Sequence, residues 1–174
     1  MSSDPTDFKL KYVPIDGSNH ELTSCKPPVE LDLAKEFASG KTVVVTGAPG
    51  AFTPTCTEQH IPDYLKHIKD FKAKGVDRVI VLTANDPFVN AAWGKALGYV
   101  DDENYFVFAS DPEAKFSSKL GGDTYAVDMS KAGMGIRTSR YTSIIKDGSL
   151  TFLGNEDTLG FSDISAASTV LERL

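Results

Sequence analysis

The chain has 174 residues, 18 Lys and Arg against 24 Asp and Glu, a formal net charge of −6 and 41% hydrophobic residues. That is enough for one α/β domain over residues 1–174 with a sizeable core. The scattered basic residues leave no footprint for nucleic acid, and no apolar window approaches the ~18 residues of a membrane span.

The first thirty residues mix short extended pieces with turns such as "PIDGSN". Residues 29–40, "VELDLAKEFASG", read as a short helix closed by Gly40. The continuous Val and Thr of "KTVVVTG" mark a buried strand, "DRVIVLTA" a second and "NYFVFAS" a third. In "NDPFVNAAWGKALG", Asp86 is the expected N-cap, Pro87 the first helical residue and Gly98 the stop. "SDPEAKFSSKLGG" repeats the device with Asp111, Pro112 and Gly121. "RYTSIIKDGSLTFLG" reads as a hairpin turning at Asp147-Gly148, and "SDISAASTVLERL" as a closing helix. Strands alternating with helices argue for parallel pairing, to which the hairpin adds antiparallel strands. The expected architecture is thioredoxin-like, a mixed central sheet flanked by helices.

The densest punctuation is "TGAPGAFTPTCTEQHIP", residues 46–62, directly after the first buried strand. Thr53 is the expected N-cap with Pro54 at the first helical position, which puts Cys56 in the first turn of a helix. Unpaired N–H groups and the positive dipole end favour an anion there, and the thiolate is the reactive form of cysteine. A helix terminus alone seldom stabilises a thiolate enough, so a cationic partner is expected. Pro62 cannot continue the ladder and should kink this helix. By itself, a cysteine so placed is more often a small buried apolar residue.

The segment "PGAFTPTC" resembles the active-site motif of peroxiredoxins, P-x-x-x-T-x-x-C, and "GAFTPTCTEQHIPDY" is similar to their fungal alkyl hydroperoxide reductase branch. The similarity extends through "NDPFVNAAWGKALG", "FASDPEAKFSSKLG" and "SRYTSIIKDG", from about residue 8 to the end. The resemblance implies a peroxidase for hydrogen peroxide and alkyl hydroperoxides that needs no metal or bound cofactor. It makes Cys56 the peroxidatic cysteine, Thr53 the hydroxyl that bonds the thiolate and the peroxide, and Pro49 the shield against water. Arg140 falls on the arginine that stabilises negative charge. Apart from the resemblance, Arg140 reads as a surface arginine at a strand end, and Arg137 in "GIRTSRY" competes with it.

Cys25, in the polar, proline-rich "LTSCKPP", is expected on an exposed loop. The resemblance makes it the resolving cysteine, forming a disulfide with Cys56 that thioredoxin reduces, across a homodimer in the fungal branch. Residue reading alone leaves open an inert loop thiol, and an intrasubunit bond. The alternative recycling is by glutathione and glutaredoxin, and the alternative class is a non-catalytic thioredoxin-fold binding module. A metal site would need ligands beyond Cys56 and His60. A hydrolase pairing of the two is poorly oriented along one helix, so His60 reads as structural or mildly tuning. Phe52 is expected to line either an apolar access route or a dimer interface, while Trp93, Phe88, Phe106 and Phe108 read as core. "MSSDPTDFKL" lacks the features of a secretory signal, so the expected location is the cytoplasm, where thiols stay reduced. The terminal "ERL" ends in Leu as a peroxisomal address does but has Glu in place of the small first residue, so a peroxisomal pool is the secondary expectation.

Overall fold

The computed structural model describes residues 4–156 and 158–174. Strands β1 (Leu10–Tyr12) and β2 (Val29–Leu31) pair antiparallel. A single helical turn, α1 (Leu33–Glu36), follows, with the Asp32 carboxylate accepting the Lys35 N–H. This corrects the expectation of one helix over residues 29–40. Pairing with β1 buries Leu31 in the core, and that tertiary gain overrides local helix preference.

The chain continues through β3 (Thr42–Gly47), α2 (Ile61–Lys66), α3 (Ile68–Ala73), β4 (Arg78–Thr83), α4 (Pro87–Ala96) and β5 (Phe106–Ser110). Then come α5 (Lys115–Gly121), the small ribbon β6 (Ala126–Asp128) and β7 (Ile136–Thr138), the hairpin β8 (Tyr141–Lys146) and β9 (Ser149–Asn155), and α6 (Ala167–Arg173). The main sheet has the order β2-β1-β5-β4-β3-β8-β9. Its centre, β3-β4-β5, is parallel, and β8 lies antiparallel against β3.

Side chains alternate across the sheet, which sorts the apolar residues into two cores. Val44, Val79, Val81, Phe106, Phe108 and Ile144 face Tyr64, Phe71, Trp93 and Val170. Val43, Val45, Ile80, Leu82, Val107 and Ile145 face Leu33, Phe37 and Phe116. Strands buried on both faces explain the unbroken apolar runs in the sequence. This is the expected thioredoxin-like mixed sheet with helices on both faces.

Asp86 caps α4 as expected, accepting the Phe88 and Val89 N–H groups. The Asp147-Gly148 turn has positive φ at both residues, 52° and 75°, the conformation that a two-residue hairpin requires. Three expectations need correction. Pro112–Ala114 form a separate 3-10 turn with Glu113 and Ala114 left-handed, so Asp111 caps α5 across it, accepting Phe116 and Ser117 N–H groups at 2.9 Å. The last helix begins at Ala167, because Ser162 and Ser165 are drawn to the Glu156 carboxylate instead. Phe88 is exposed, whereas Trp93, Phe106 and Phe108 are buried.

Candidate active site

Beyond β3 the backbone stays tied to the sheet: Ala48 donates its N–H to Leu82 and accepts from the Thr138 hydroxyl. The turn that follows is tight. A Cβ on Gly50 would lie 2.8 Å from Thr53 Cγ2, so a side chain there would force a shift. Asn85 pins the turn from β4's end, its Oδ1 accepting the Ala51 N–H at 3.0 Å.

Thr53 starts the helical run through its backbone, accepting the Thr57 N–H at 3.0 Å. Its hydroxyl does not cap. It donates to the Gly50 carbonyl at 2.7 Å, which corrects the expected side-chain N-cap and leaves the oxygen lone pairs as acceptors. The kink expected from Pro62 takes the form of a π-helical turn, Cys56–His60, in which the Ile61 N–H reaches back to the Cys56 carbonyl. A wide turn directly before a residue without an N–H is a common way to place that residue in a helix.

Cys56 is 1% exposed and Arg140 2%. The Arg140 Nη2–H donates to the Cys56 sulfur at 3.2 Å. The rest of the guanidinium is held by the Leu159 and Gly160 carbonyls, and Nη1 contacts His60 Nδ1 at 2.8 Å. Among the described residues, no carboxylate lies within ion-pair distance of Arg140. The guanidinium's remaining contact, the sulfur, thus faces a fixed positive charge that no carboxylate among the described residues neutralises. His60 is also fully enclosed; its burial, and then the Arg140 charge, hold its imidazole well below the ordinary 6.5. Cys56 and His60 thus meet the same arginine.

Arg137 has a different place. It donates to the Met134 carbonyl at 2.7 Å and to Asn85 Oδ1 at 3.0 Å, bracing the turn rather than touching the sulfur. Pro49, Thr53, Cys56 and Arg140 line one cleft of about 260 Å³ together with Met129, Met134 and Leu159. The apolar wall of this cleft is therefore sulfur-rich and comes from residues that the sequence did not mark. Phe52 is not part of it; it is 52% exposed with a positive φ of 60°. Thr46 also escaped the sequence reading, although a polar residue in the run "TVVVT" signals a buried group in need of a partner. The Trp93 indole N–H donates to Thr57 Oγ1 at 3.0 Å, tying α4 to the residue after Cys56.

Cys25 lies exposed on the loop between β1 and β2, and both cysteines are free thiols. The Lys95 ammonium organises its loop by donating to the Ser24 carbonyl at 2.7 Å, the Glu21 carbonyl and Asn19 Oδ1. Within one chain the structure does not bring Cys25 to Cys56. Among the described residues, no group of three His, Cys, Asp or Glu is placed to hold a metal ion, and no helix is long and apolar enough to cross a membrane.

The family profile described as Redoxin matches residues 6–171. A protein of Lipomyces kononenkoae named as a candidate peroxisomal peroxiredoxin is 46% identical over 149 residues, 86% of each chain. Peroxiredoxin Pen c 3 of Penicillium citrinum is 39% identical over 98% of this chain and 95% of its own. Reduced Prx3 from Vibrio vulnificus in complex with hydrogen peroxide superposes with a TM-score of 0.77 at 31% identity, over 99% of this chain and 96% of that one. Sheet, helices and matched length agree with these relatives, which sets aside a non-catalytic binding module. The chain belongs to the redoxin family and is a peroxiredoxin, an oxidoreductase of the peroxidase type.

Proposed function

We propose that Cys56 is the sulfur that reduces hydrogen peroxide and alkyl hydroperoxides. Its thiolate attacks the terminal peroxide oxygen, the O–O bond breaks, and the sulfur is oxidised to sulfenic acid. The leaving oxygen takes a proton from water and departs as water or alcohol. Arg140 stabilises first the thiolate and then the charge developing on the leaving oxygen, with little reorganisation because it is already in place. Thr53 Oγ1, its proton given to Gly50, accepts the peroxide O–H. Pro49 keeps bulk water from the sulfur, and Met129, Met134 and Leu159 receive the alkyl part of an organic hydroperoxide. One observation carries this reading: the 3.2 Å contact between the buried Arg140 and Cys56, with no carboxylate competing among the described residues. The test is peroxide consumption by Cys56→Ser with a thiol reductant. Activity should fall to background, and substantial residual turnover would sink the assignment.

Cys25 then attacks the Cys56 sulfenic acid, releasing water and forming a disulfide across a homodimer, which a thioredoxin dithiol reduces. The exposure of Cys25 and the absence of an intrachain bond support this order. Disulfide geometry needs Cα atoms within ~7 Å, so the turn around Cys56 must open first. Its π-helical hydrogen bonding makes that turn the weak point. A second reading is recycling of Cys56 alone by glutathione and glutaredoxin, favoured by the distinct settings of the two free thiols. Turnover of Cys25→Ser separates the two: thioredoxin-dependent activity should vanish under the first reading and glutaredoxin-dependent activity persist under the second. The proposed location is the cytoplasm, with a peroxisomal pool in view of the Lipomyces relative's name.

A further inference from the structure

Arg140 is among the largest fully buried side chains, yet what holds it is neutral: the Leu159 and Gly160 carbonyls and the His60 ring. The protons around that ring can be accounted for one by one. The Thr46 hydroxyl donates to the Tyr141 carbonyl at 2.9 Å. Thr46 Oγ1 therefore has only lone pairs for His60 Nε2, which lies 2.9 Å away, and Nε2 must carry the proton. On the other side of the ring, a guanidinium N–H can only donate, so Nδ1 must be bare to receive Arg140 Nη1 at 2.8 Å. Both contacts demand the same species, a neutral imidazole protonated on Nε2.

We propose that His60 is a positioning residue for peroxide reduction: in this single tautomer, fixed by Thr46, it holds the Arg140 guanidinium against the Cys56 sulfur. The inference rests on the reading of Cys56 as the reacting sulfur. An imidazolium in this place would set N–H against N–H and add a second buried cation, whereas a carboxylate would pair with Arg140 and compete with the thiolate. A neutral acceptor orients the arginine and leaves its charge for the sulfur. The groups facing the ring are consistent with this. Arg140 stands at the foot of β8, Thr46 is on β3, and the Tyr64 ring from α2 lies edge-on at 5.4 Å. The Phe161 ring lies at 5.5 Å, and Cys56 is on the same turn. Among the described residues, no carboxylate is within ion-pair distance of His60.

Two measurements test the proposal. In histidine-¹⁵N-labelled protein, with His60→Asn used for assignment, His60 should show a protonated Nε2 and a bare Nδ1 from about pH 8 to about pH 5. A Nδ1–H tautomer or an imidazolium in that range would overturn it, and the tautomer itself is read on the wild-type protein. In rapid-mixing kinetics, His60→Phe should slow reaction with the first equivalent of hydrogen peroxide by about 10- to 100-fold, less than loss of a direct donor can cost. In an Arg140→Met background the same change should cost less than about twofold, since a residue acting through Arg140 has nothing left to position. His60→Asn, which returns an amide oxygen to Arg140, should recover part of the loss. Equal losses from His60→Phe in both backgrounds contradict the positioning role. A wild-type protein that reduces no peroxide would defeat the Cys56 reading instead, leaving the tautomer test standing.

Discussion

The two cysteines occupy opposite kinds of environment. Cys56 is 1% exposed, under a buried arginine with no carboxylate in reach among the described residues, and wedged by Trp93 through Thr57. Cys25 is exposed on a loop whose nearby cations are already committed. Lys26 pairs with Asp16 at 2.8 Å, and its hydrogen bond, with that of Ser18, pulls the Asp16 carboxyl down to about 2. Lys95 is held among carbonyl oxygens, where burial lowers its ammonium despite the nearby Cys25. The difference suits the two tasks proposed for them. Attack on a peroxide needs a desolvated sulfur with a fixed cation, whereas meeting a sulfenic acid on another segment needs reach.

The largest expected effects break this contrast at its buried end. Cys56→Ser should reduce peroxide consumption to background, because an alcohol cannot replace the thiolate. Arg140→Met should slow the first oxidation by ~10–1000-fold in stopped-flow assays, as for other electrostatic stabilisers. Arg137→Met should cost much less, since Arg137 contacts Asn85 and Met134 rather than the sulfur. The reverse ranking would show the wrong arginine was assigned.

Much of this was legible in the sequence, for a physical reason. The helix start at Asp86, the Asp147-Gly148 turn and the apolar strands are local signals, and each holds in the fold, whereas the start expected at Asp111-Pro112 is displaced to Lys115 by the left-handed Glu113 and Ala114. The grouping of Pro49, Thr53 and Cys56 is local as well. The Thr46–His60–Arg140 chain was not legible, because it joins β3, a π turn and the foot of β8, brought together only by β3–β8 pairing. Met129 and Met134 reach the cleft from a loop with no pattern to mark it. Strand β2 was misread because its pairing partner, not its own composition, decides its state.

At the exposed end, Cys25→Ser should leave the first equivalent of peroxide reacting at about the wild-type rate. Thioredoxin-dependent turnover should stop and over-oxidation of Cys56 increase, since no thiol meets the sulfenic acid. Wild-type protein treated with one equivalent should run as a dimer on a non-reducing gel. A disulfide-bonded monomer would make the bond intrasubunit.

The smallest effect concerns stability. His60 stays neutral when buried but is protonated in the unfolded chain below 6.5, so the unfolded state binds more protons there. Stability should be level above that pH and fall as pH drops through it, by up to ~1.4 kcal/mol per pH unit. Against the cost of burial, hydrogen bonds from Ser162 and Ser165 hold Glu156 below its ordinary 4.5, so its contribution appears only at lower pH. Denaturant titrations between about pH 7 and about pH 5 should therefore show the slope, and His60→Phe should flatten it.

The chain's one tryptophan offers the most direct test of the pairing of Cys56 with Arg140. Trp93 donates to Thr57, next to Cys56, so its fluorescence should report oxidation and then disulfide formation, which holds the turn open, as two successive phases after rapid mixing with hydrogen peroxide. The account predicts that Arg140→Met slows the first, peroxide-dependent phase by at least about tenfold and that Cys25→Ser removes only the second. A first phase that keeps its wild-type rate in Arg140→Met, or survives in Cys56→Ser, would contradict it.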